Sequence, residues 1–389
     1  MDFELNEEQR AFAETTRQFA NERLAPQAAE WDEKQIFPKE VLREAGELGF
    51  LSLYVPEEQG GLGLSRLDAS IIFEQLSMGC TSTTAFMTIH NMVSWMIASF
   101  ATEQAKAAFC PKLLTGEWLA SYCLTEANAG SDAASLTTTA VKKGDSYVLN
   151  GAKAFISGAG ETDVLVVMAR TGGDSSKATG ASGISAFIVS AEASGISYGR
   201  KEPKMGWNSQ PTRAVTFENV EVPAINLLGS EGGGFKFAMK GLDGGRINIA
   251  SCSLGTAQHA LNQAKQYVIE RQQFGQSLSQ FQSVQFKLAD MATELVAARQ
   301  LVRYASTKLD RKDPEATAYC AMAKRFATDI GFKVCDQALQ LYGGYGYIKE
   351  YSLERHFRDV RVHQILEGTN EIMRLIISRR VLKEGTELL

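Results

Sequence analysis

The chain has 389 residues, of which 44% are hydrophobic and 22% are charged, and its formal net charge is -5. This length is sufficient for two or three packed units, and the composition is that of an ordinary globular protein. A basic footprint for nucleic acid is missing, so we expect no nucleic-acid partner. No run of 18 apolar residues occurs, so we expect no membrane insertion.

The cysteines and the first residues indicate the compartment. The six cysteines stand at positions 80, 110, 123, 252, 320 and 335, without a CxxC pair. We expect them to be reduced and mostly buried, because a chain of this length needs no disulfide staples. The start, Met1 to Leu5, lacks the basic and apolar zones of a signal peptide. We therefore expect a cytoplasmic protein if the source is bacterial, or a mitochondrial matrix protein if a leader has been removed.

Residues 1–117 are predicted to form an N-terminal helical domain. Asn6 is followed three residues later by Gln9, the pattern of a capping box at a helix start. Leu5, Phe12 and Phe19 follow at spacings near multiples of 3.6, as on one face of a helix.

Residues 118–228 are predicted to form a middle domain of mostly antiparallel β-strands. Short β-branched runs occur at 147–149, 164–167, 184–189 and 215–217. Gly-containing turns separate them, and no long helical period intervenes. The Gly/Ser/Lys-rich stretch 171–182 is predicted to be an exposed connector.

Residues 229–389 are predicted to form a C-terminal helical domain. The apolar periodicity predicts helices at 235–268, 283–309, 321–341 and 369–381, and Pro314 suggests a helix start. The order helical, then β, then helical predicts an α+β protein and is uncommon enough to restrict the choice of fold.

Several kinds of catalytic site are poorly supported. The four histidines, at 90, 259, 356 and 363, belong to no HExxH motif and to no spaced Cys/His set, so we expect no metal site. A nucleophile elbow, a P-loop and a GxGxxG between strand and helix are also missing. Two glycine-rich polar segments remain, at 130–132 and 343–347. Taken alone, such segments are usually turns, and Glu367 is usually a surface carboxylate.

Five motifs in order change that interpretation. They occupy 122–131, 155–158, 271–275, 340–344 and 367–369. In sequence and spacing they resemble the acyl-CoA dehydrogenases, and the resemblance extends over the whole chain. It implies an N-terminal helical domain, a middle antiparallel β domain and a C-terminal four-helix bundle. It also implies FAD-dependent α,β-desaturation of an acyl-CoA.

Further segments resemble one branch of that family. Residues 86–91, 207–213 and 245–252 look like the branch that acts on isobutyryl-CoA. This implies conversion of isobutyryl-CoA to methacrylyl-CoA, a step of valine degradation. A preference for 2-methylbutyryl-CoA or butyryl-CoA is an open alternative. A catalytically silent flavoprotein that serves as a binding partner is another, although retention of Glu367 argues against it.

The resemblance assigns many positions to FAD. Phe155 and Ser157 stand where the family often has Trp and Thr, and they keep an aromatic face and a hydroxyl. Arg271 matches an arginine that the family offers to the diphosphate of a flavin bound mainly by a neighbouring subunit. The implied FAD contacts are Tyr122, Leu124, Thr125, Ser131, Phe155, Ile156, Ser157, Arg271, Phe274, Phe281, Gln282, Gln340, Gly343, Gly344, Thr369, Asn370 and Glu371.

The resemblance also implies a base and substrate contacts. Most members place the catalytic carboxylate where Glu367 stands, and a few place it where this chain has Gly245. Since glycine has no side chain, Glu367 is the predicted base. Two adjacent glycines are costly in a helix and suggest that a ligand passes closely. The implied substrate contacts are Ser131, Asp243, Gly244, Gly245, Arg246, Gly368 and Arg379.

The resemblance further implies partners. A flavin shared across subunits implies at least a dimer, and the family is usually a homotetramer, a dimer of dimers. The expected small-molecule partner is an acyl-CoA. The expected electron acceptor is an electron-transferring flavoprotein.

Overall fold

The computed structural model describes residues 4–171 and 180–383. Most of the predicted connector, 172–179, lies outside the described residues. The predicted capping box is confirmed: Asn6 Oδ1 accepts from the Gln9 amide at 2.8 Å, and Gln9 Oε1 accepts from the Asn6 amide at 3.2 Å. The N-terminal helices are α1 (Glu7–Phe19), α2 (Ala28–Lys34), α3 (Lys39–Glu47), α4 (Arg66–Gly79), α5 (Thr81–Phe100) and α6 (Glu103–Leu114).

The middle part is a largely antiparallel sheet with the strand order β6-β7-β3-β2-β4-β5-β8, and β1 runs parallel to β4. Alternate residues of β4 pack against α5 on one face and against the rest of the sheet on the other. Burial on both faces explains its continuous apolar run. The strands are β1 (Ala120–Cys123), β2 (Thr139–Lys143), β3 (Ser146–Ser157), β4 (Val164–Arg170), β5 (Ile184–Ser190), β6 (Ile196–Tyr198), β7 (Thr212–Pro223) and β8 (Leu227–Leu228).

The C-terminal part is built around one long helix, α7, which packs against α4, α5, α8 and α9. Gly255 permits the approach of α4, because a Cβ there would collide with the Glu74 carbonyl oxygen and the Ser77 hydroxyl. The elements are α7 (Gly234–Glu270), β9 (Gln272–Gln273), β10 (Gln276–Ser277), α8 (Gln282–Asp310), α9 (Ala316–Tyr342), α10 (Leu353–Arg361) and α11 (Asn370–Val381).

The predicted α+β class is confirmed, with helical, β and helical parts in that order. The helix start suggested at Pro314 is wrong by two residues. Pro314 lies in the turn before α9, where Asp313 accepts the Glu315 amide through its side chain and the Ala316 amide through its carbonyl. The six cysteines are free and buried, as predicted. Within the described residues no helix is long and apolar enough to cross a membrane.

Candidate active site

Glu367 lies in a tight turn between α10 and α11. The chain leaves α10 through a short helical turn, in which the Ile365 and Leu366 amides both donate to the Val362 carbonyl. Glu367 then adopts a φ of 56° and Gly368 a φ of 87°. The left-handed region is unfavourable for a glutamate, so the surrounding structure must hold this conformation. Strain of this kind is most often found at functional sites.

The Glu367 carboxyl group reaches the buried face of α7 at Gly245. A Cβ built on Gly245 would lie 2.5 Å from Glu367 Oε2. The neighbouring Gly244 has a similar role, because a Cβ there would collide with Nη1 of Arg66. The sequence suggested that this glycine pair admits a ligand. The structure places the Arg66 and Glu367 side chains beside these glycines, and the predicted contact with a ligand stays a prediction.

The environment of Glu367 suits a base. Its Oε2 is buried and has no hydrogen-bond partner among the described residues. Burial raises the pKa of Glu367 to about 7, and the nearby charges of Arg246 and Lys324 oppose that rise. General bases work best with a pKa near the operating pH, and the raised pKa of this carboxyl group is compatible with such a role.

Arg246 links α7 to the turn that carries Glu367. Its Nη1 donates to Asp243 Oδ1 at 2.6 Å, and Asp243 Oδ2 accepts from the Thr317 hydroxyl at 2.7 Å. Its Nε donates to the backbone carbonyl of Glu367 at 3.4 Å. Arg246 therefore contacts the turn at the backbone carbonyl of Glu367, and its described hydrogen bonds do not include the Glu367 carboxylate.

The segment 122–131 begins within β1, and Tyr122 lies close enough to Glu367 for the Glu367 charge to affect its hydroxyl. The Tyr122 hydroxyl is buried without a hydrogen-bond partner among the described residues. Burial raises the pKa of Tyr122, and the Glu367 charge adds to that rise. Leu124 is buried, Thr125 is half-buried, and Gly130 and Ser131 are exposed. A Cβ on Gly130 would meet no atom within 4 Å, so open space lies beside this end of the segment.

A buried ion pair that the sequence analysis missed supports this segment. Lys153 Nζ donates to Glu126 Oε1 at 2.8 Å and to the Leu124 carbonyl at 3.1 Å. Glu126 also accepts the backbone amides of Thr137 and Thr138. Burial alone would raise the pKa of Glu126, but hydrogen bonds from Lys153 and Thr138 lower it to about 2. Nothing in the sequence predicted burial of Lys153, because a lysine is ordinarily exposed unless it is paired.

Phe155 projects from an irregularity near the end of β3. The register between β3 and β7 shifts between Lys153 and Ile156, and Phe155 has a φ of 58°. Its side chain is 68% exposed, whereas Ile156 is buried in the sheet core. Ile156 can therefore contact a ligand only through its backbone. Ser157 is half-buried, and its carbonyl accepts from the Ser121 hydroxyl at 2.7 Å.

A second group of predicted FAD contacts lies at the far end of α7. Gly245 and Glu270, the last residue of α7, are 25 residues apart, which corresponds to about 38 Å of helix. Arg271 follows directly and lines a cavity of about 420 Å³ with Gln340, Gly343 and Gly344. Phe274, at the tip of the β9–β10 hairpin, is 93% exposed. Phe281 packs edge-on against Phe274, and Gln282 begins α8.

The remaining predicted contacts lie on α11. The Thr369 hydroxyl accepts from the Ile372 amide and caps the helix. The Asn370 amide is engaged with α9, because its Nδ2 donates to Thr328 Oγ1 and Asp329 Oδ1. Glu371 is exposed and pairs with Arg374. Arg379 is exposed, about 14 Å along α11 from its first residue.

Comparisons with known proteins agree with this geometry. Family models described as the acyl-CoA dehydrogenase N-terminal, middle and C-terminal domains match residues 6–117, 121–220 and 232–382. The mitochondrial isobutyryl-CoA dehydrogenase of Bos taurus is 54% identical over 380 residues, covering 98% of this chain and 90% of the relative.

Solved structures show the same fold. Butyryl-CoA dehydrogenase from Megasphaera elsdenii has a TM-score of 0.94 at 40% identity, with 98% of this chain and 100% of that chain covered. A chain in a structure described as the electron transferring flavoprotein of Acidaminococcus fermentans has a TM-score of 0.95 at 42% identity, covering 99% and 100%. This chain belongs to the acyl-CoA dehydrogenase family.

Proposed function

We propose that the protein is an FAD-dependent dehydrogenase that desaturates isobutyryl-CoA to methacrylyl-CoA, with Glu367 as the base. The buried, unpartnered Oε2 of Glu367 beside Gly245 is the observation that carries the proposal. The substrate assignment is supported by identity to the bovine isobutyryl-CoA dehydrogenase over nearly the whole chain. The same carboxyl group argues against a silent flavoprotein, which needs no base.

The residues present suit a flavin. Phe155 offers an exposed aromatic face at a strained backbone position, and the carbonyls of Leu124 and Thr125 are fixed by Lys153 and the Ala154 amide. Ser157 supplies a hydroxyl near that face. FAD, when bound, supplies the acceptor for the hydride that leaves the substrate β-carbon.

The chain itself performs the proton chemistry. Glu367 removes the α-proton of the acyl thioester, while hydrogen bonds to the thioester oxygen stabilise the developing enolate charge. We assign one of these bonds to the Glu367 backbone amide. Entry of the acyl group excludes water from the site, which further disfavours the ionised carboxylate and strengthens the base. Asp243 and Arg246 fix the face of α7 along which the substrate lies.

The proposal includes a shared site. Arg271 lies about 38 Å along α7 from Gly245, too far to reach the flavin beside its own Glu367. We assign Arg271, Phe274, Phe281, Gln282, Gln340, Gly343 and Gly344 to the diphosphate end of a flavin held by a second copy of the chain. The assembly is a homotetramer, a dimer of dimers. Its electron acceptor is an electron-transferring flavoprotein.

A panel of acyl-CoA thioesters with an artificial electron acceptor tests the function. We expect the highest kcat/KM with isobutyryl-CoA, lower values with 2-methylbutyryl-CoA and butyryl-CoA, and the lowest with octanoyl-CoA. Glu367→Gln should lower turnover by about 10²- to 10⁴-fold, the usual loss for a general base. Glu192→Gln, an exposed glutamate, is the control. A wild-type rate in Glu367→Gln would refute the assignment of Glu367 as the base. Faster turnover of butyryl-CoA than of isobutyryl-CoA would refute the substrate assignment.

A further inference from the structure

Lys324 lies on α9 beneath the turn that carries Glu367. Its side chain is fully buried, a rare position for a lysine. Its Nζ donates to the Gly368 carbonyl at 2.7 Å and to Asn370 Oδ1 at 2.9 Å. It is therefore bonded to Gly368 and Asn370, the first and third residues after the proposed base.

These contacts hold the strained part of the turn. Glu367 and Gly368 both have positive φ, and the Gly368 carbonyl lies at the end of that strained pair. The other described polar contact to the turn backbone, from Arg246 Nε to the Glu367 carbonyl, is longer at 3.4 Å. The start of α11 is fastened to the same helix α9, because Asn370 also bonds Thr328 and Asp329. Lys324 thus makes a shorter bond to the backbone of the 367–368 turn than Arg246 does, and it ties that turn to α9.

Lys324 also acts on the charge of the base. Its ammonium opposes the rise in the pKa of Glu367, and burial in turn lowers the pKa of Lys324 to about 7 against the pull of the Glu367 charge. The other charged groups facing Lys324 are Arg246 on α7, Asp329 on α9 and Glu371 on α11, and the neutral His363 ring lies close by. None of the described ion pairs joins Lys324 to Glu367 directly. A positive charge therefore lies near the carboxylate, while its Oε2 has no hydrogen-bond partner in the part of the chain that the structure describes.

We propose that Lys324 is a positioning residue for the desaturation reaction. It holds the 367–368 turn so that the Glu367 carboxyl group stands against Gly245, and its ammonium favours the ionised form of that carboxyl group. The proposal rests on the function proposed above, since it assigns Lys324 a role that is exerted through Glu367. A displacement of a reacting group by about 1 Å can cost about 100-fold in rate, so the tether alone is significant.

Lys324→Met tests both parts of the role. We expect kcat to fall by about 10- to 100-fold with little change in KM or FAD content. We expect the acid limb of the kcat/KM profile to move to higher pH, because loss of the positive charge raises the pKa of Glu367. Lys324→Gln keeps a donor for the Gly368 carbonyl without the charge. It should show the same shift of the acid limb with a smaller loss of kcat, and it provides a second variant if Lys324→Met does not fold.

Thr328→Val is the matched structural control. It removes a hydrogen bond to Asn370 from the same buried face of α9 but leaves the Gly368 contact and the charge of Lys324 intact. It should lower Tm without moving the acid limb. Hydrogen exchange of backbone amides 366–370, measured without substrate, should accelerate in Lys324→Met more than in Thr328→Val.

A double variant decides whether Lys324 acts through Glu367. In a Glu367→Gln background, Lys324→Met should cause no further loss of the residual rate. An equal loss in both backgrounds would overturn the proposal, as would an unchanged kcat and acid limb in Lys324→Met. If the wild type fails to reduce its flavin with any acyl-CoA, the proposed function fails instead, and the exchange measurement still reports on the tether.

Discussion

Glu367 and Gly245 are complementary: the carboxyl oxygen Oε2 lies only 2.5 Å from the point where any other residue at position 245 would put its Cβ. The base and the helix that faces it therefore constrain each other. Any side chain at position 245 would force the Glu367 carboxyl group to move.

Gly245→Ala should displace the base. Alanine favours a helix by about 1 kcal/mol over glycine, so a gain in stability is expected at an unconstrained position. Here we expect kcat to fall by about 100-fold, because the carboxyl group must move. The control is Gly241→Ala on the same helix, where a Cβ would meet the flexible Met92 and Met96 side chains. Equal turnover in the two variants would contradict this account.

The titration of Glu367 should appear in both activity and stability. Its carboxylate form is the active base, so kcat/KM should fall as pH drops below about 7. The raised pKa in the folded state means that this group destabilises the protein increasingly as pH rises from about 4.5 to 7. Glu367→Gln should therefore have a Tm above wild type at pH 8 and equal to it near pH 4. Parallel Tm curves for the two proteins would argue against a buried, unpaired carboxyl.

Arg271→Ala should weaken FAD retention and loosen the assembly while each chain stays folded. Loss of charge-assisted hydrogen bonds to a phosphate costs about 1.5–3 kcal/mol. Flavin occupancy and size-exclusion chromatography, measured together, give the result. Arg10→Ala, on the exposed side of α1, serves as the control. Full flavin occupancy and an intact assembly in Arg271→Ala would contradict the assignment of Arg271 to the cofactor site.

Lys153→Met should destabilise the segment 122–131. Breaking a buried ion pair by removing one partner typically costs about 3–5 kcal/mol, and here the Glu126 carboxylate is left without its cation. We expect a lower Tm and a lower flavin content at neutral pH. Because the pKa of Glu126 is depressed, its contribution to stability is present above pH 4.5 and is lost toward pH 2. Adding Glu126→Gln to Lys153→Met should recover part of the loss, and Lys143→Met on exposed β2 should change neither quantity.

Most of the fold could be predicted from local patterns. The β-branched runs became β3, β4, β5 and β7, and the long apolar periodicities became α7, α8 and α9, because burial of one face or both leaves a periodic trace. The start of α9 was misplaced because Asp313 continues the turn past Pro314.

The candidate active site was harder to predict from the sequence than the fold was. Glu367 was identified by resemblance to a family, and its pKa depends on residues from α7 and α9 that are far apart in the chain. Lys153 and Lys324 were missed because a lysine is ordinarily exposed, and nothing local signals that a carboxylate or a turn carbonyl will meet it in the core. The proximity of Gly244 to Arg66 and of Gly245 to Glu367 could not be predicted either, because these side chains come from elements that are far apart in the chain.

The length of α7 has a genetic consequence. In the proposed dimer, each flavin is served by the base of one chain and the Arg271 of the other, because one α7 separates these functions by about 38 Å. A mixed dimer of a Glu367→Gln chain and an Arg271→Ala chain then has one site with both defects and one site with none. Co-expression of the two impaired variants should therefore raise activity above that of either variant alone, although neither chain is wild type.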